Sequence, residues 1–359
     1  MKKYFLLLAA FVAAFSFTSC LDDDDDKTQA PVYKLPYYAY ILGEGNWNKN
    51  DAVLTGFTVD GVMKKEIYYN ANQQRLGDLA NDLVYSPNRV LYVAVSGSEY
   101  VAKLDLNGKE LTRVSTKDNA ELTQPRSMVL AYGKLYVSTY GGNVAVLDTA
   151  DLHLITKLPC GAYAEEIAAT EKYIAVCNSG YGQGNTLSIY DAKMGTALKT
   201  IELPRTNPQN IVAQGDKFYV NTTEYDENWQ ASSKIIQVDP ETGKCKVVAD
   251  AFYMTPLVTG GLMFISQKTE DYVTYSNSAY IYSPTQDKLV EYKLGDKLSA
   301  AYIYAIETAP LTGYVFCLTN NMSEGAATGS SLHILGNDGP ESTFNDTGCP
   351  FASSIAFAY

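Results

Sequence analysis

Beyond about residue 37 the chain alternates short apolar runs with polar turn clusters, and the runs recur. A β-branched or aromatic triplet appears seven times: Tyr40-Ile41-Leu42, Leu91-Tyr92-Val93, Leu135-Tyr136-Val137, Ile174-Ala175-Val176, Phe218-Tyr219-Val220, Met263-Phe264-Ile265 and Val315-Phe316-Cys317. From residue 91 the starts lie 44, 39, 44, 45 and 52 residues apart. A second segment trails each triplet and ends in Asp or another turn residue: Phe57-Thr58-Val59-Asp60, Lys103-Leu104-Asp105, Val146-Leu147-Asp148, Ile189-Tyr190-Asp191, Gln237-Val238-Asp239, Ile281-Tyr282-Ser283 and His333-Ile334-Leu335. Short runs rich in Val, Ile, Tyr and Phe, bounded by Gly, Asn, Asp and Pro, read as strands, and no long helical period competes with them.

Seven copies at 40–50 residues each match the size of a four-stranded propeller blade. The triplet reads as a second strand and the trailing segment as a third. Turn residues such as Asp239-Pro240-Glu241-Thr242-Gly243 introduce an outer strand. Inner strands precede the triplets, as in Leu83-Val84-Tyr85, Ser127-Met128-Val129-Leu130, Ile167-Ala168-Ala169 and Ile211-Val212-Ala213. The first repeat starts with a second strand, and Ser354-Ile355-Ala356-Phe357-Ala358 is an inner strand with no blade after it. The expected fold is therefore all-β: a seven-bladed β-propeller whose C-terminal strand closes the first blade, sparing the ring an open edge. Seven repeats are too many for a two-sheet sandwich.

Residues 1–19 stand apart. Lys2 and Lys3 precede an apolar stretch from Tyr4 to Phe17, then Thr18-Ser19-Cys20. This is the order of a secretory signal, too short for a membrane span. The segment resembles a bacterial lipobox, which implies lipidation at Cys20. Asp22 to Asp26 follow, a like-charge run that stays extended and solvated. It resembles the surface-export signal of Bacteroidetes lipoproteins; the plain alternative is an acidic spacer. The expected organisation is a signal peptide over 1–19, a lipidated cysteine and acidic linker over 20–36, and a propeller domain over 37–359. The expected location is the outer membrane, lipid-anchored and facing the cell exterior.

The net charge is −12; it becomes −14 without Lys2 and Lys3, and −9 when the five linker aspartates are also set aside. A body this acidic, with no basic cluster, argues against nucleic acid and against contact with anionic membranes other than through the anchor. Cys160, Cys177, Cys245, Cys317 and Cys349 lack CxxC spacing, so no metal framework is expected, and several sit in apolar runs as small core residues.

The repeat around Leu135-Tyr136-Val137-Ser138-Thr139, Val144-Ala145-Val146-Leu147-Asp148 and Leu158-Pro159-Cys160-Gly161 is similar to that of YncE-like (YVTN-type) propellers. Gly43-Glu44-Gly45-Asn46-Trp47, Leu76-Gly77-Asp78-Leu79-Ala80-Asn81-Asp82 and Gln124-Pro125-Arg126 resemble, more closely, the cobalamin-binding BtuG family of surface lipoproteins. That resemblance implies cobalamin or another corrinoid as ligand, and a TonB-dependent outer-membrane transporter as partner. Propeller repeats encode scaffold rather than ligand, so function must be argued from a site.

Little in the sequence suggests catalysis. There are two histidines, His153 in an apolar outer-strand stretch and His333 within a third strand, and no Ser/His/Asp set assembles around them. Gly180-Tyr181-Gly182-Gln183-Gly184 reads as a loop between strands, not a phosphate cradle. A calcium of the lactonase-propeller kind would draw on Glu44, Asp82, Asn210 and Asn221, but no metal and no resident cofactor is expected. The expectation is a binding protein, not an enzyme; the alternatives are a lactonase-like hydrolase and a glycan- or protein-binding propeller.

Tyrosine is the outlier, at 29 against 12 Phe and 2 Trp. Most serve as strand residues. Those in loops after second strands and before inner strands belong on one face around the channel. The candidate ligand-binding residues are Glu44, Asn46, Trp47, Tyr100, Arg126, Tyr140, Tyr163, Tyr181, Asn221, Trp229, Tyr253 and Tyr302. Aromatic walls with amide and phenol groups between them suit a large ligand with an apolar body and a hydrogen-bonding rim. A corrinoid is one; a glycan or protein would also fit.

Overall fold

In the computed structural model, which describes residues 34–115, 120–269, 271 and 273–359, seven four-stranded antiparallel sheets succeed one another along the chain. Blade 1 joins β1 (Ala39–Gly43), β2 (Val53–Phe57) and β3 (Met63–Lys64) to the last strand, β28 (Ala352–Phe357). Blade 2 holds β4 (Ala80–Ser86), β5 (Val90–Val95), β6 (Tyr100–Asp105) and β7 (Glu110–Ser115). Blade 3 holds β8 (Pro125–Ala131), β9 (Lys134–Thr139), β10 (Asn143–Asp148) and β11 (Leu154–Pro159). Blade 4 holds β12 (Ala164–Ala169), β13 (Tyr173–Asn178), β14 (Thr186–Asp191) and β15 (Thr196–Glu202). Blade 5 holds β16 (Pro208–Gln214), β17 (Lys217–Tyr225), β18 (Ala231–Val238) and β19 (Cys245–Ala249). Blade 6 holds β20 (Tyr253–Pro256), β21 (Leu262–Thr269), β22 (Tyr275–Ser283) and β23 (Lys288–Tyr292). Blade 7 holds β24 (Ile303–Thr308), β25 (Val315–Ser323), β26 (Ala326–Leu335) and β27 (Pro340–Asn345). The signal, Cys20 and the acidic run lie outside the described residues. No helix among the described residues is long and apolar enough to cross a membrane.

Second strands are apolar on both faces because both faces are buried. In β1, Tyr40 and Leu42 pack toward blade 2, while Ala39 and Ile41 pack toward blade 7. In β5, Leu91 and Val93 face blade 1, while Tyr92 and Ala94 face blade 3. Each of the seven apolar clusters spans the seam between neighbouring blades, so the core is a ring of interfaces rather than one central mass. The tyrosine of the triplet adds a polar latch. Tyr40 donates to the Leu106 carbonyl of blade 2 (2.8 Å), Tyr92 to Thr149 of blade 3 (2.7 Å) and Tyr136 to Ala192 of blade 4 (3.5 Å). A phenol buried in such a seam keeps its large apolar ring and satisfies its hydroxyl at the next blade's outer turn.

Closure is as expected. β28 pairs antiparallel with β1, Tyr40 opposite Ala356 and Ile41 opposite Ile355. The Ala358 amide bonds the Tyr38 carbonyl (3.0 Å), and Tyr85 of blade 2 donates to the Tyr359 carbonyl (2.9 Å). Gly43 has no room for a side chain: a Cβ there would meet both Cys349 Cβ and the Pro350 carbonyl at 2.7 Å. Cys177, Cys317 and Cys349 are buried and unpaired.

Two local expectations are corrected. In blade 1 the third strand is Val53–Phe57, and Thr58 begins a turn instead, its hydroxyl taking the Val62 amide (2.9 Å). His153 is not in the outer strand. Asp148 and Asp151 bind turn amides ahead of β11 and leave His153 exposed, its Nδ1 2.7 Å from Asp151 Oδ1.

Candidate functional site

Most inner strands begin irregularly, while β20 pairs with β21 without a slip. The pairing of inner with second strand slips between Ala80 and Asp82, Pro125 and Met128, Ala164 and Ile167, Pro208 and Ile211, and Ile303 and Ala305. Bulges of this kind take residues out of the ladder and re-aim them. Just before the bulge, Leu79, Gln124, Tyr163, Asn207 and Phe351 take left-handed backbone with φ of 46–58°. Their carbonyls accept the amides of Ser96, Tyr140, Ser179, Thr223 and Glu44, which tie the mouth loops together. The displaced side chains turn into the central channel: Asn81-Asp82, Arg126-Ser127, Glu165-Glu166, Gln209-Asn210, Tyr304-Ala305 and Ser353-Ser354 all line it. The channel opens at the face where second strands end, as one continuous cavity of about 1890 Å³.

Aromatic ladders edge this mouth from blades across the ring. On one side Tyr140, Tyr163 and Tyr181 run in succession, ring centroids 5.3 and 5.2 Å apart. The Arg126 guanidinium lies 4.7 Å over the Tyr140 ring. Glu165 joins the two, taking the Tyr140 hydroxyl (2.7 Å) and the Arg126 Nε–H (3.1 Å). On the other side Tyr275 stacks on Tyr302 at 4.8 Å, followed by Tyr304 and Phe351 at 5.6 Å each. Tyr304 donates to Glu44 Oε1 (2.6 Å). Burial raises the Glu44 carboxyl, while this hydrogen bond and Arg126 pull it back. Tyr225 and Trp229 of blade 5 project further out, 51% and 73% exposed.

Of the twelve residues proposed from sequence, Glu44, Arg126, Tyr140, Tyr181, Trp229, Tyr253 and Tyr302 line the cavity. Tyr163 stands in the ladder between Tyr140 and Tyr181. Trp47 is exposed on the β1–β2 loop outside the cavity lining. Asn46 is engaged by Asp51 and by the Ala327 amide of β26 (3.0 Å). Two positions are corrected. Tyr100 is 4% exposed, its hydroxyl bonded to the Leu76 carbonyl and its ring covered by Arg113, because it opens β6 instead of standing in the loop before it. Asn221 is fully buried within β17, donating to the Ala251 carbonyl and accepting from Thr223. β17 runs to Tyr225, longer than its repeat suggested, which draws Asn221 into the blade.

Of the deeper channel acids, the sequence pointed to Asp82 alone, as a possible calcium ligand, and not to Glu166 or Glu307. Asp82 takes the Met128 amide (2.6 Å) and the Ser127 hydroxyl (3.0 Å) of the next blade. Glu166 likewise takes the Ile211 amide (2.5 Å). These carboxylates satisfy amides that the bulges freed, one blade onward each time. Burial pushes Asp82 up to about 6, Glu166 to about 8 and Glu307 to about 7. Asp82 and Glu307 also raise Glu166, and Asp82 raises Glu307, by charge repulsion across the channel. The available signal was a polar pair after a small or proline residue at the start of an otherwise apolar strand.

Neither histidine is at the cavity. His333 is buried between the hydroxyls of Thr319 and Thr343, and burial lowers it to about 4. Asp148, Asp151 and His153 bring ligand-type atoms within 4.8 Å of one another, but at a turn between third and outer strands, on the opposite face.

No protein-family model matches the chain, and no curated protein matches it. Solved structures match by fold. A structure of Kuenenia stuttgartiensis hydrazine synthase has a TM-score of 0.58 at 15% identity, over 71% of this chain and 76% of that one. Streptogramin B lyase has 0.57 at 15%, over 77% and 87%. The WD40 propeller domain of Doa1 has 0.54 at 12%, over 78% and 84%. At such identities these likenesses carry the all-β seven-bladed propeller, and the fold alone.

Proposed function

We propose that this chain is a cell-surface lipoprotein that captures a corrinoid and hands it to a TonB-dependent outer-membrane transporter. The observation that carries the reading is the pair of tyrosine ladders facing each other across a cavity of about 1890 Å³. Flat apolar rings offer a surface to a macrocycle, and the phenols, amides and carboxyls between them match a rim of amides. The resemblance to BtuG-type sequences supports the same ligand, and Cys20 with Asp22–Asp26 supports a lipid-anchored exterior location.

The test is titration calorimetry of the soluble body, residues 34–359, against cyanocobalamin, haem and a panel of glycans. One-to-one binding of cobalamin, weakened by Tyr302→Ala and Tyr140→Ala at unchanged melting temperature, supports the reading. Absence of cobalamin binding, or glycan binding at the same residues, overturns it. In cells, Cys20→Ala is expected to release the protein from membranes, and neutral replacements of Asp22–Asp26 to leave it lipidated but protected from external protease.

One observation favours hydrolysis as a second reading. Burial in the channel raises Glu166 to about 8 and Glu307 to about 7, the range in which general acids work. Turnover of lactone substrates, lost in Glu166→Gln, would decide for it.

A further inference from the structure

The cavity is built with one sign of charge. Seven carboxylates line it: Glu44, Asp82, Glu165, Glu166, Glu224, Asp226 and Glu307. Arg126 is the one cationic side chain among the described residues that line it, and Glu165 already neutralises it at 3.1 Å. Glu224 is paired with Arg205 (2.9 Å), and Asp226 is held by the amides of its own turn. Glu44, Asp82, Glu166 and Glu307 form no ion pair with any described residue. Their hydrogen-bond partners are neutral: a phenol at Glu44 and backbone amides at Asp82 and Glu166.

The walls reinforce this sign. Aromatic rings carry a negative face, and Tyr140, Tyr302 and Tyr304 line the same cavity, with Arg126 already seated over Tyr140. Deeper in, Asn81 Oδ1 is an acceptor with no protein donor, so it too presents negative potential. Acids that repel one another in a low-dielectric channel gain most from a positive charge that enters among them, and an anion there meets uncompensated repulsion.

Resting on the capture reading above, we infer that the cavity selects its ligand by positive charge: the occupant presents a cationic centre to the channel, and anionic macrocycles are excluded. A cobalt(III) corrin fits this class. Its ring carries one negative charge against three on the metal, so with neutral axial ligands the macrocycle is cationic. Haem, whose propionates are anionic, is refused. Glu166 and Glu307 are the specificity residues, because they sit on inner strands of blades across the ring from each other and carry no counter-ion.

The experiment compares two axial states of one corrinoid that lacks the phosphate-bearing nucleotide arm. At the alkaline pH used, diaquacobinamide has lost a proton from one cobalt-bound water and is the aquahydroxo monocation, while dicyanocobinamide is neutral, on the same ring. Affinities are measured at a pH above the Glu166 titration, on the native chain and on Glu166→Gln/Glu307→Gln. The glutamines keep an acceptor for the Ile211 amide, and circular dichroism checks that the variant is folded. The expected result is a preference of about tenfold or more for the aquahydroxo form, falling to within about threefold in the double variant. Equal affinity for the two forms, or a preference unchanged in the variant, overturns the inference and leaves corrinoid capture standing. If neither corrinoid binds, corrinoid capture falls, and a porphyrin pair decides the inference on its own. Tighter one-to-one binding of cationic tetra(N-methylpyridyl)porphyrin than of anionic tetra(sulfonatophenyl)porphyrin, lost in the double variant, upholds charge selection. Equal binding, no binding of either, or a preference that survives the variant ends it.

Discussion

The second strands and the inner strands of the same blades are built on opposite rules. A second strand such as β5 has a partner for every one of its residues on both sides, is apolar on both faces, and is buried over Leu91–Val95. An inner strand such as β12 slips register at its start, and there it places two residues, Glu165 and Glu166, opposite the single residue Cys177 of β13. Regular pairing suits the seams, where two surfaces must interlock. Irregular pairing suits the channel, where amides left out of the ladder are satisfied by side chains that also line the cavity. Stability and specificity are therefore separated within each blade, about one strand spacing apart.

Four experiments press on that separation. The largest effect is expected from deleting residues 352–359. This removes the inner strand of blade 1 and part of the seam with blade 7, including Ile355 and Phe357. Since each blade leans on its neighbours, cooperative thermal unfolding should be lost, or its midpoint should fall steeply. An unchanged midpoint would mean that closure contributes nothing.

Next is Tyr92→Ala, which empties a fully buried seam position. It should cost about 3–5 kcal/mol in denaturant unfolding, and Tyr92→Phe, which loses only the bond to Thr149, about 1 kcal/mol. Ligand affinity should be unchanged in both. If binding suffered while stability did not, the division between seam and channel would be wrong.

A smaller effect, on binding alone, is expected at the mouth. Tyr302→Ala should weaken cobalamin by about 2 kcal/mol, roughly thirtyfold, while Trp47→Ala, outside the cavity, should change it by less than about twofold. Calorimetry on the two variants side by side distinguishes cavity lining from mere position on the same face.

The smallest effect is a slope. Asp82, Glu307 and Glu166 keep their protons to about 6, 7 and 8 in the folded chain, whereas unfolded carboxyls lose them near 4. Between about pH 5 and 8 the native state therefore binds more protons than the unfolded state. Their contribution to stability falls as pH rises through that window and levels off above it. Glu166→Gln should flatten the upper part of the fall. Denaturant midpoints at several pH values check this, and an identical slope in the variant would show that Glu166 already ionises normally.

Much of this was legible along the chain. The triplets report second strands because burial on both faces demands continuous apolar residues, a constraint local enough to survive as a repeat. The unpaired C-terminal strand was visible for the same reason. The tyrosines divided less cleanly. Tyr92 and Tyr136 read as strand residues, which they are, and their latches to the next blade require knowing which turn lies opposite. Tyr100 and Asn221 were expected at the mouth, yet lie inside blades because strand ends shift by a residue or several with hydrogen bonding that no single repeat displays.

The sequence by itself determined the number of blades, their order and the closure of the ring, because hydrophobic periodicity and repeat spacing are properties of neighbours along the chain. Only the tertiary structure decided what the channel is. Asp82, Glu166 and Glu307 stand 84 and 141 residues apart, and each looks like an ordinary polar residue in an inner strand, the first two near its start and Glu307 near its end. Their shared cavity, mutual repulsion and lack of counter-ions arise when seven inner strands are brought round one axis. Charge acts through space, and the ring alone sets those distances.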